Sequence, residues 1–403
     1  MKKLVEVNTV AGRGSTGAIA EAIARVARES GEWEPWLAYG REPHREPSAA
    51  NLVRIGSDWD MRWHGLESRL FDNHGLASRG ATRKFLKELD RIGPDIVHLH
   101  NIHGYYLNYE LLFEWLRAWG GPVVWTLHDI WPITGHCAYF GVEECGRWRT
   151  GCGGKCPQLR TYPASLLTNR SAENWRRKAE AFGSLKNLTL IPVSDWLSGL
   201  LSESFLRETN RVVIHNGVDL KVFKPTESSK EGKPYVIAVS GVWNREKGFY
   251  DLLELRKILP REIEIVVVGV TDKQKQTLPD GIRGVTRTES REELRKLYAG
   301  ALAFVNPTYG DNFPTVNIEA LACGTPVVTY RTGGSPEAVD ALTGIVVERG
   351  DIEGLAAGIE AAAKLSRQDC RARAVSEFDA EKCYKTYLSL YEEKLGVKSC
   401  QTV

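Results

Sequence analysis

Two carboxylates eight residues apart, Asp311 and Glu319, bracket a helix start in the run Asp311-Asn312-Phe313-Pro314-Thr315-Val316-Asn317-Ile318-Glu319. A strand ending near Asn306-Pro307 would bring Asp311 and the amides of Asn312 and Phe313 to the mouth of a sheet. A helix beginning near Pro314-Thr315 would carry Glu319 about one turn further in. Amides at a helix N-terminus attract phosphate or polarised sugar oxygens, and a carboxylate set back along the helix accepts hydrogen bonds from a diol such as ribose. The combination reads as a sugar-nucleotide site, although the segment alone reads equally well as an acidic loop before a buried helix. Arg245 and Lys247, in Arg245-Glu246-Lys247-Gly248, supply a guanidinium fork and a compact ammonium where a second sheet would end. A diphosphate leaving group needs that charge, whereas an isolated basic pair is commonly a solvated loop.

Other groups lie toward the start of the chain. Gly12-Arg13-Gly14-Ser15-Thr16-Gly17 follows a strand and opens a helix, the setting in which G-x-G-x-x-G carries meaning. It fits a dinucleotide fingerprint, a tight turn without a ligand, or a loop whose amides approach a diphosphate or an acceptor hydroxyl. His128-Asp129 ends an apolar strand, either as a capped strand end or facing a ligand, with Asp129 turned to an acceptor or orienting the ring. His98, His100 and His103 could hold a metal; the preferred reading lets His100, His103 and Tyr105 line an acceptor site. Cys137, Cys145, Cys152 and Cys156 fall in one Gly-rich loop, 135–159. In a reduced compartment such thiols suit a structural zinc better than disulfides, although the spacing is not that of paired C-x-x-C knuckles.

The elements that position these groups follow from periodicity. Leu4–Asn8, Trp36–Tyr39, Asn51–Ile55, Asp95–His100, Pro122–His128, Leu188–Val193 and Val212–Asn216 read as strands, with helices at Thr16–Glu29, Thr82–Ile92, Leu111–Ala118 and Ser171–Phe182. After a polar break at Ser228–Pro234 the pattern restarts with strands at Tyr235–Ser240, Glu264–Gly269, Ala303–Asn306, Pro326–Thr329 and Gly344–Val347. Strands apolar on both faces, alternating with helices, mean parallel doubly wound sheets. The expected division is 1–215, 216–380 and a terminal helix over 381–403 that packs back toward the first domain. At 403 residues the chain has room for two such domains, and its 53 basic and 51 acidic residues leave a net charge of +2. No global charge footprint for nucleic acid results. No apolar run is long enough to span a bilayer, and the start reads as a strand instead of a signal peptide, so a cytoplasmic chain is expected. Arg170, Arg176, Arg177 and Lys178, near or on one helix, would either be solvated or meet anionic headgroups at the inner membrane face.

Together these motifs resemble the retaining glycosyltransferases of the large GT4-like family, in which the Asp311-x7-Glu319 pair corresponds to Glu-x7-Glu with aspartate in the first place. Asn8–Gly17, the run Trp125-Thr126-Leu127-His128-Asp129-Ile130-Trp131-Pro132 and the following cysteines look most like bacterial exopolysaccharide enzymes of the colanic-acid type. The resemblance implies a GT-B fold, with two Rossmann-like domains facing across a cleft. It places Gly14 at the donor diphosphate or acceptor hydroxyl and His128 on a sugar hydroxyl near C6. Arg245 and Lys247 would neutralise the β-phosphate, Asp311 would position the sugar, and Glu319 would read the ribose. Asn216-Gly217-Val218-Asp219 with Phe223 would form a hinge. It further implies transfer of a hexose from a UDP- or GDP-linked donor to an oligosaccharide or lipid-linked acceptor with retention. With no Asp-x-Asp metal triplet evident, the cations Arg245 and Lys247 would do the work that a divalent ion does elsewhere, and no cofactor is expected for catalysis. An NAD(P)-binding oxidoreductase, resting on the glycine fingerprint, and a catalytically silent GT-B partner subunit, resting on the shortened Asp311, stay open at this level.

Overall fold

A computed structural model describes residues 1–41, 47–140, 145–226 and 233–396. The chain divides into two compact units, Met1–His215 together with the chain from Cys383, and Asn216–Lys382. Residues 228–232 of the expected polar break lie outside the described residues.

The first unit is built on parallel strands β1 (Lys2–Asn8), β2 (Trp33–Tyr39), β3 (Asn51–Arg54), β4 (Ile96–Leu99), β5 (Val123–Leu127), β6 (Leu188–Pro192) and β7 (Asn210–Arg211), ordered β3-β2-β1-β4-β5-β6-β7. Their helices are α1 (Gly14–Glu29), α2 (Asp58–Phe71), α3 (Arg79–Ile92), α4 (Tyr109–Trp119), α5 (Ser171–Gly183) and α6 (Asp195–Ser202). All five residues of β4's neighbour β5 are buried, as a strand covered on both faces requires. α1 buries Ile19, Ala20, Ile23, Ala24 and Ala27, a three-to-four-residue repeat of mostly small side chains.

The second unit repeats the plan with β8 (Tyr235–Val239), β9 (Glu264–Val268), β10 (Ile282–Val285), β11 (Phe304–Asn306), β12 (Val327–Tyr330) and β13 (Gly344–Val347), ordered β10-β9-β8-β11-β12-β13. α7 (Phe249–Ile258), α8 (Asp272–Gln276), α9 (Arg291–Gly300), α10 (Thr315–Ala322), α11 (Ile352–Ala362) and α12 (Arg367–Glu377) belong to it, and α13 (Ala380–Lys394) follows. Strand order reverses between β1 and β4 in one sheet and between β8 and β11 in the other. In open parallel sheets the loops leaving the strand ends at such a switch point diverge and open a crevice for ligands.

The doubly wound plan matches the expectation; several elements do not. β7 is two residues long, because Val212 and Ile214 donate to Leu190 O and Pro192 O at 3.0 and 3.3 Å as a one-sided edge without a ladder. β10 went unread because Arg283 and Gly284 break its apolar run. α2 was missed because its face is weakly apolar; a reciprocal capping box between Ser57 and Asp60 defines its start instead.

The basic segment at α5 is also corrected. Lys178 is 1% exposed, donating to Trp131 O and Thr134 O at 2.7 and 2.9 Å. Arg177 clasps Glu110 through two 2.7 Å bonds, while Arg170 and Arg176 pair with Glu173 and Glu180. Lys178 and Arg177 thus serve the fold, and of the four cations Arg176, paired with Glu180 along the helix, is the one with most of its side chain in solvent. Among the described residues, no helix is long and apolar enough to cross a membrane.

Candidate active site

In the second unit, the loops after β8 and β11 meet at the switch point. Lys247 Nζ lies 2.7 Å from Asp311 Oδ2, with side chains 33% and 25% exposed, so the pair stays within reach of a ligand. Several contacts hold it. Lys247 N donates to Asn244 Oδ1 at 2.9 Å, and Tyr309 N donates to Glu246 O at 2.8 Å, clipping one loop to the other. Gly248 has φ +73°, and an added Cβ would lie 2.1 Å from Pro307 O. Gly248→Ala is therefore expected to cost about 3 kcal/mol from left-handed backbone strain and steric overlap. A urea midpoint unchanged from wild type would contradict this.

Gly333, at φ +53°, gives Asp311 the same close approach; its Cβ would lie 1.8 Å from Asp311 O. Gly334 N donates to that carbonyl at 3.3 Å. α10 starts at Thr315 and buries Asn317, Ile318, Ala320, Leu321 and Ala322, leaving Thr315, Val316 and Glu319 partly open along one face. Thr315 N and Val316 N, at its start, have no helical carbonyl before them, while Asn317 N donates to Pro314 O at 3.1 Å. Glu319 sits one turn in, where burial pushes its carboxyl up to about 7 and the Tyr298 hydroxyl, donating to Oε2 at 3.1 Å, opposes the shift. Asn312 and Phe313 are buried, and Phe313 O accepts from Asn216 Nδ2 at 3.1 Å, so this part of the loop supplies backbone more than side chain. Arg245 is exposed at the loop tip.

In the first unit, the loop after β1 carries Gly12 and Gly14 at φ +64° and +60°, and Gly12 N donates to Gly17 O at 3.2 Å. Nothing lies within 4 Å of where a Gly14 Cβ would be, so the backbone there is open to an approaching group. His128 ends β5, its Nε2 3.1 Å from His100 Nδ1, and burial pushes its pKa down to about 4, leaving a neutral imidazole. His100 Nε2 is in turn 3.0 Å from Oε1 of Glu6, a carboxyl in the middle of β1 that burial holds well above the carboxylate range.

The expectation that His100 and Asp129 face an acceptor is corrected. His100 is 1% exposed behind His128, and Asp129 is 3% exposed, its Oδ2 2.7 Å from His103 Nε2. Each orients a neighbouring ring. Tyr105, at φ +73°, remains partly open. The donor atoms of Glu6, His98 and His100 lie within 4.8 Å of one another. Both nitrogens of each ring are nevertheless engaged, those of His98 by Thr126 Oγ1 and Tyr391 OH at 2.7 and 2.6 Å. The trio is a hydrogen-bond network. The metal reading of His98, His100 and His103 also loses His103, which turns to Asp129.

One Asp-x-Asp triplet, Asp58-Trp59-Asp60, does occur and escaped the sequence reading. Asp60 is consumed in the α2 capping box, and Asp58 pairs with Arg54. Sequence reading also missed Asn317, which is fully buried. Its Oδ1 accepts from Asn306 Nδ2 at 2.8 Å and its Nδ2 donates to Ser335 O at 3.2 Å, tying β11 to the loop after β12. An amide inside the apolar run of α10 was the available signal.

Known proteins resemble this chain in sequence and in fold. The Glycosyltransferase Family 4 domain matches residues 34–222 and the Glycosyl transferases group 1 domain matches 233–364. The chain is 26% identical over 305 residues to the putative colanic acid biosynthesis glycosyl transferase WcaC of Escherichia coli K12, covering 70% of this chain and 69% of that protein. A D-inositol 3-phosphate glycosyltransferase from a Mycobacterium species is 30% identical over 282 residues, 64% of this chain and 56% of its own length. The match thus spans little more than half of that relative. Among solved structures, sucrose-phosphate synthase from Thermosynechococcus elongatus superposes with a TM-score of 0.73 at 16% identity, covering 99% of this chain and 100% of that one. Anabaena HepE in complex with UDP-glucose gives 0.65 at 15% identity, over 98% and 100%. The chain belongs to the GT4-type glycosyltransferases, and its two parallel-sheet units have the GT-B fold.

Proposed function

We propose that this chain is a retaining hexosyltransferase that takes a hexose from a UDP- or GDP-linked donor and adds it to a lipid-linked glycan during assembly of a cell-surface polysaccharide. The observation that carries the reading is the 2.7 Å contact between Lys247 and Asp311, which joins a phosphate-seeking cation to a sugar-seeking carboxylate at one switch point. The colanic-acid relative supports the pathway class, and the UDP-glucose complex of the Anabaena neighbour supports the donor class.

In this mechanism Arg245 and Lys247 hold the β-phosphate, Asp311 and the amides of Asn312, Phe313 and Thr315 position the sugar, and Glu319 accepts from the ribose hydroxyls. Gly14 brings backbone to the reacting end, and neutral His128 hydrogen-bonds the transferring sugar. The bond from C1 to the phosphate oxygen breaks, and the acceptor oxygen bonds C1 on the same face. The acceptor proton passes to the departing phosphate oxygen. Cations are needed where that negative charge grows, and the protein supplies them. A calorimetric screen of UDP-, GDP- and ADP-sugars identifies the donor; proton NMR of the product then reads the anomeric coupling, and inversion would refute the mechanism.

α2 supports the membrane side of the proposal. Trp59, Trp63 and Leu66 lie along one helical face at 77%, 66% and 48% exposure, beside Arg62, whose guanidinium sits 5.5 Å from the Trp59 ring. Aromatics with flanking cations suit the headgroup boundary. Replacing Trp59 and Trp63 together with serine is expected to lower co-sedimentation with anionic vesicles at least fivefold, with the melting temperature unchanged. Equal vesicle binding would remove this helix from the proposal.

A further inference from the structure

The loop between β5 and α5 carries a side-chain cluster that the transfer chemistry does not use. Cys137, Cys145, Cys152 and Cys156 all line one small cavity as free thiols. The space open to the centre of a water-sized sphere is about 20 Å³, enough for a single ion. His136 lines the same cavity. Its ring is 2% exposed, and its Nδ1 lies 2.6 Å from Asp72 Oδ1. The other Asp72 oxygen accepts from Arg170 N at 2.8 Å. A carboxylate only accepts, so the shared proton sits on Nδ1, and Nε2 is the ring atom left to offer a lone pair to a ligand. That Nε2 is buried with no hydrogen-bond partner. A buried imidazole lone pair beside four thiols, with a carboxylate fixing the other nitrogen, is the donor arrangement of a carboxylate-histidine-zinc triad.

The geometry points to a structural zinc ion held by Nε2 of His136 and three of the four thiolates, with Asp72 as the group that orients the histidine. One of the four thiols already has a backbone donor. Gly135 N donates to Cys152 Sγ at 3.2 Å, and Cys152 sits at φ +53°, a conformation that few residues other than glycine adopt. No three of these donor atoms all lie within 4.8 Å of one another, whereas zinc–sulfur bonds of about 2.3 Å set tetrahedral edges of about 3.8 Å. The ion therefore draws the side chains inward, and its role is to clamp a loop whose own core is small.

The test uses the full chain grown with zinc and purified without chelator. Mass spectrometry of metals should give one zinc per chain, and X-ray absorption should fit three sulfurs at about 2.3 Å and one nitrogen at about 2.0 Å. These measurements need no variant. In the single Cys→Ser series, three variants should lose zinc and one should keep it. His136→Gln should weaken binding of cobalt, used as a spectroscopic substitute, at least 100-fold, and Asp72→Asn should do so about 10- to 100-fold. A chain without zinc that binds no cobalt, or one whose cysteines are paired in two disulfides, overturns the site. A four-sulfur spectrum unchanged in His136→Gln overturns the histidine's part.

Discussion

Replacing Lys247 with alanine is expected to lower the transfer rate about 100- to 1000-fold while leaving stability within about 1 kcal/mol of wild type. The two magnitudes separate because they come from different states. In the free protein the ammonium faces Asp311 at 2.7 Å with a third of its surface in water, and such exposed pairs contribute about 0–1 kcal/mol. As the glycosidic bond breaks, the same charge faces a developing phosphate dianion, where removing one preorganised stabiliser costs about 3–4 kcal/mol. Lys247→Arg should recover part of the rate but not all, since a fork cannot occupy the place of a compact ammonium. Single-turnover kinetics with the donor found by calorimetry, together with urea melts, read both quantities. A variant that loses stability in proportion to activity would make Lys247 a fold residue and remove it from the mechanism.

Glu319→Gln should raise the melting temperature at neutral pH and weaken donor binding about 10- to 100-fold, the value of a charge-assisted hydrogen bond. Burial lifts the Glu319 carboxyl from 4.5 to about 7. The folded chain thus holds this proton more tightly than the unfolded chain does. Its contribution to stability is greatest below pH 4.5, declines as pH rises toward 7, and is level above that. Glutamine does not titrate, so its advantage over wild type should be nearly absent near pH 4.5 and grow to about 3 kcal/mol by pH 7, roughly 6–12 °C of melting temperature for a unit of this size. Donor binding runs the other way. Ribose hydroxyls donate to the charged form, so wild-type affinity should strengthen between pH 6 and pH 8 while that of the variant stays flat. Glu319→Ala should abolish detectable donor heat. Donor affinity that does not change with either substitution would overturn the ribose-reading role.

Sequence reading succeeded where one local rule sufficed. The buried strands of both sheets carry short apolar runs, Val123–Trp125 and Ile265–Val268 among them, and the Pro314-Thr315 helix start needs only its neighbours to be recognised. It failed where distant partners decide. Lys178 reads as surface charge because the Trp131 and Thr134 carbonyls that bury it lie more than forty residues away. His100 reads as a ligand because Glu6, which claims its ring, lies 94 residues earlier. Asn317 reads as one more residue of an apolar helix until Asn306 and Ser335 are seen on either side of its amide.

By itself the sequence determined the two doubly wound units, the family, and the residue types at each strand end, because periodicity and loop chemistry act over a few residues. Only the tertiary structure decided that Asp311 meets Lys247, that burial lifts the Glu319 carboxyl to about 7, and that His136 shares one cavity with four thiols. Those properties depend on burial and on charges brought together from separate loops. Hydrogen-bond reach and desolvation are set by distance in space, and spacing along the chain does not record it.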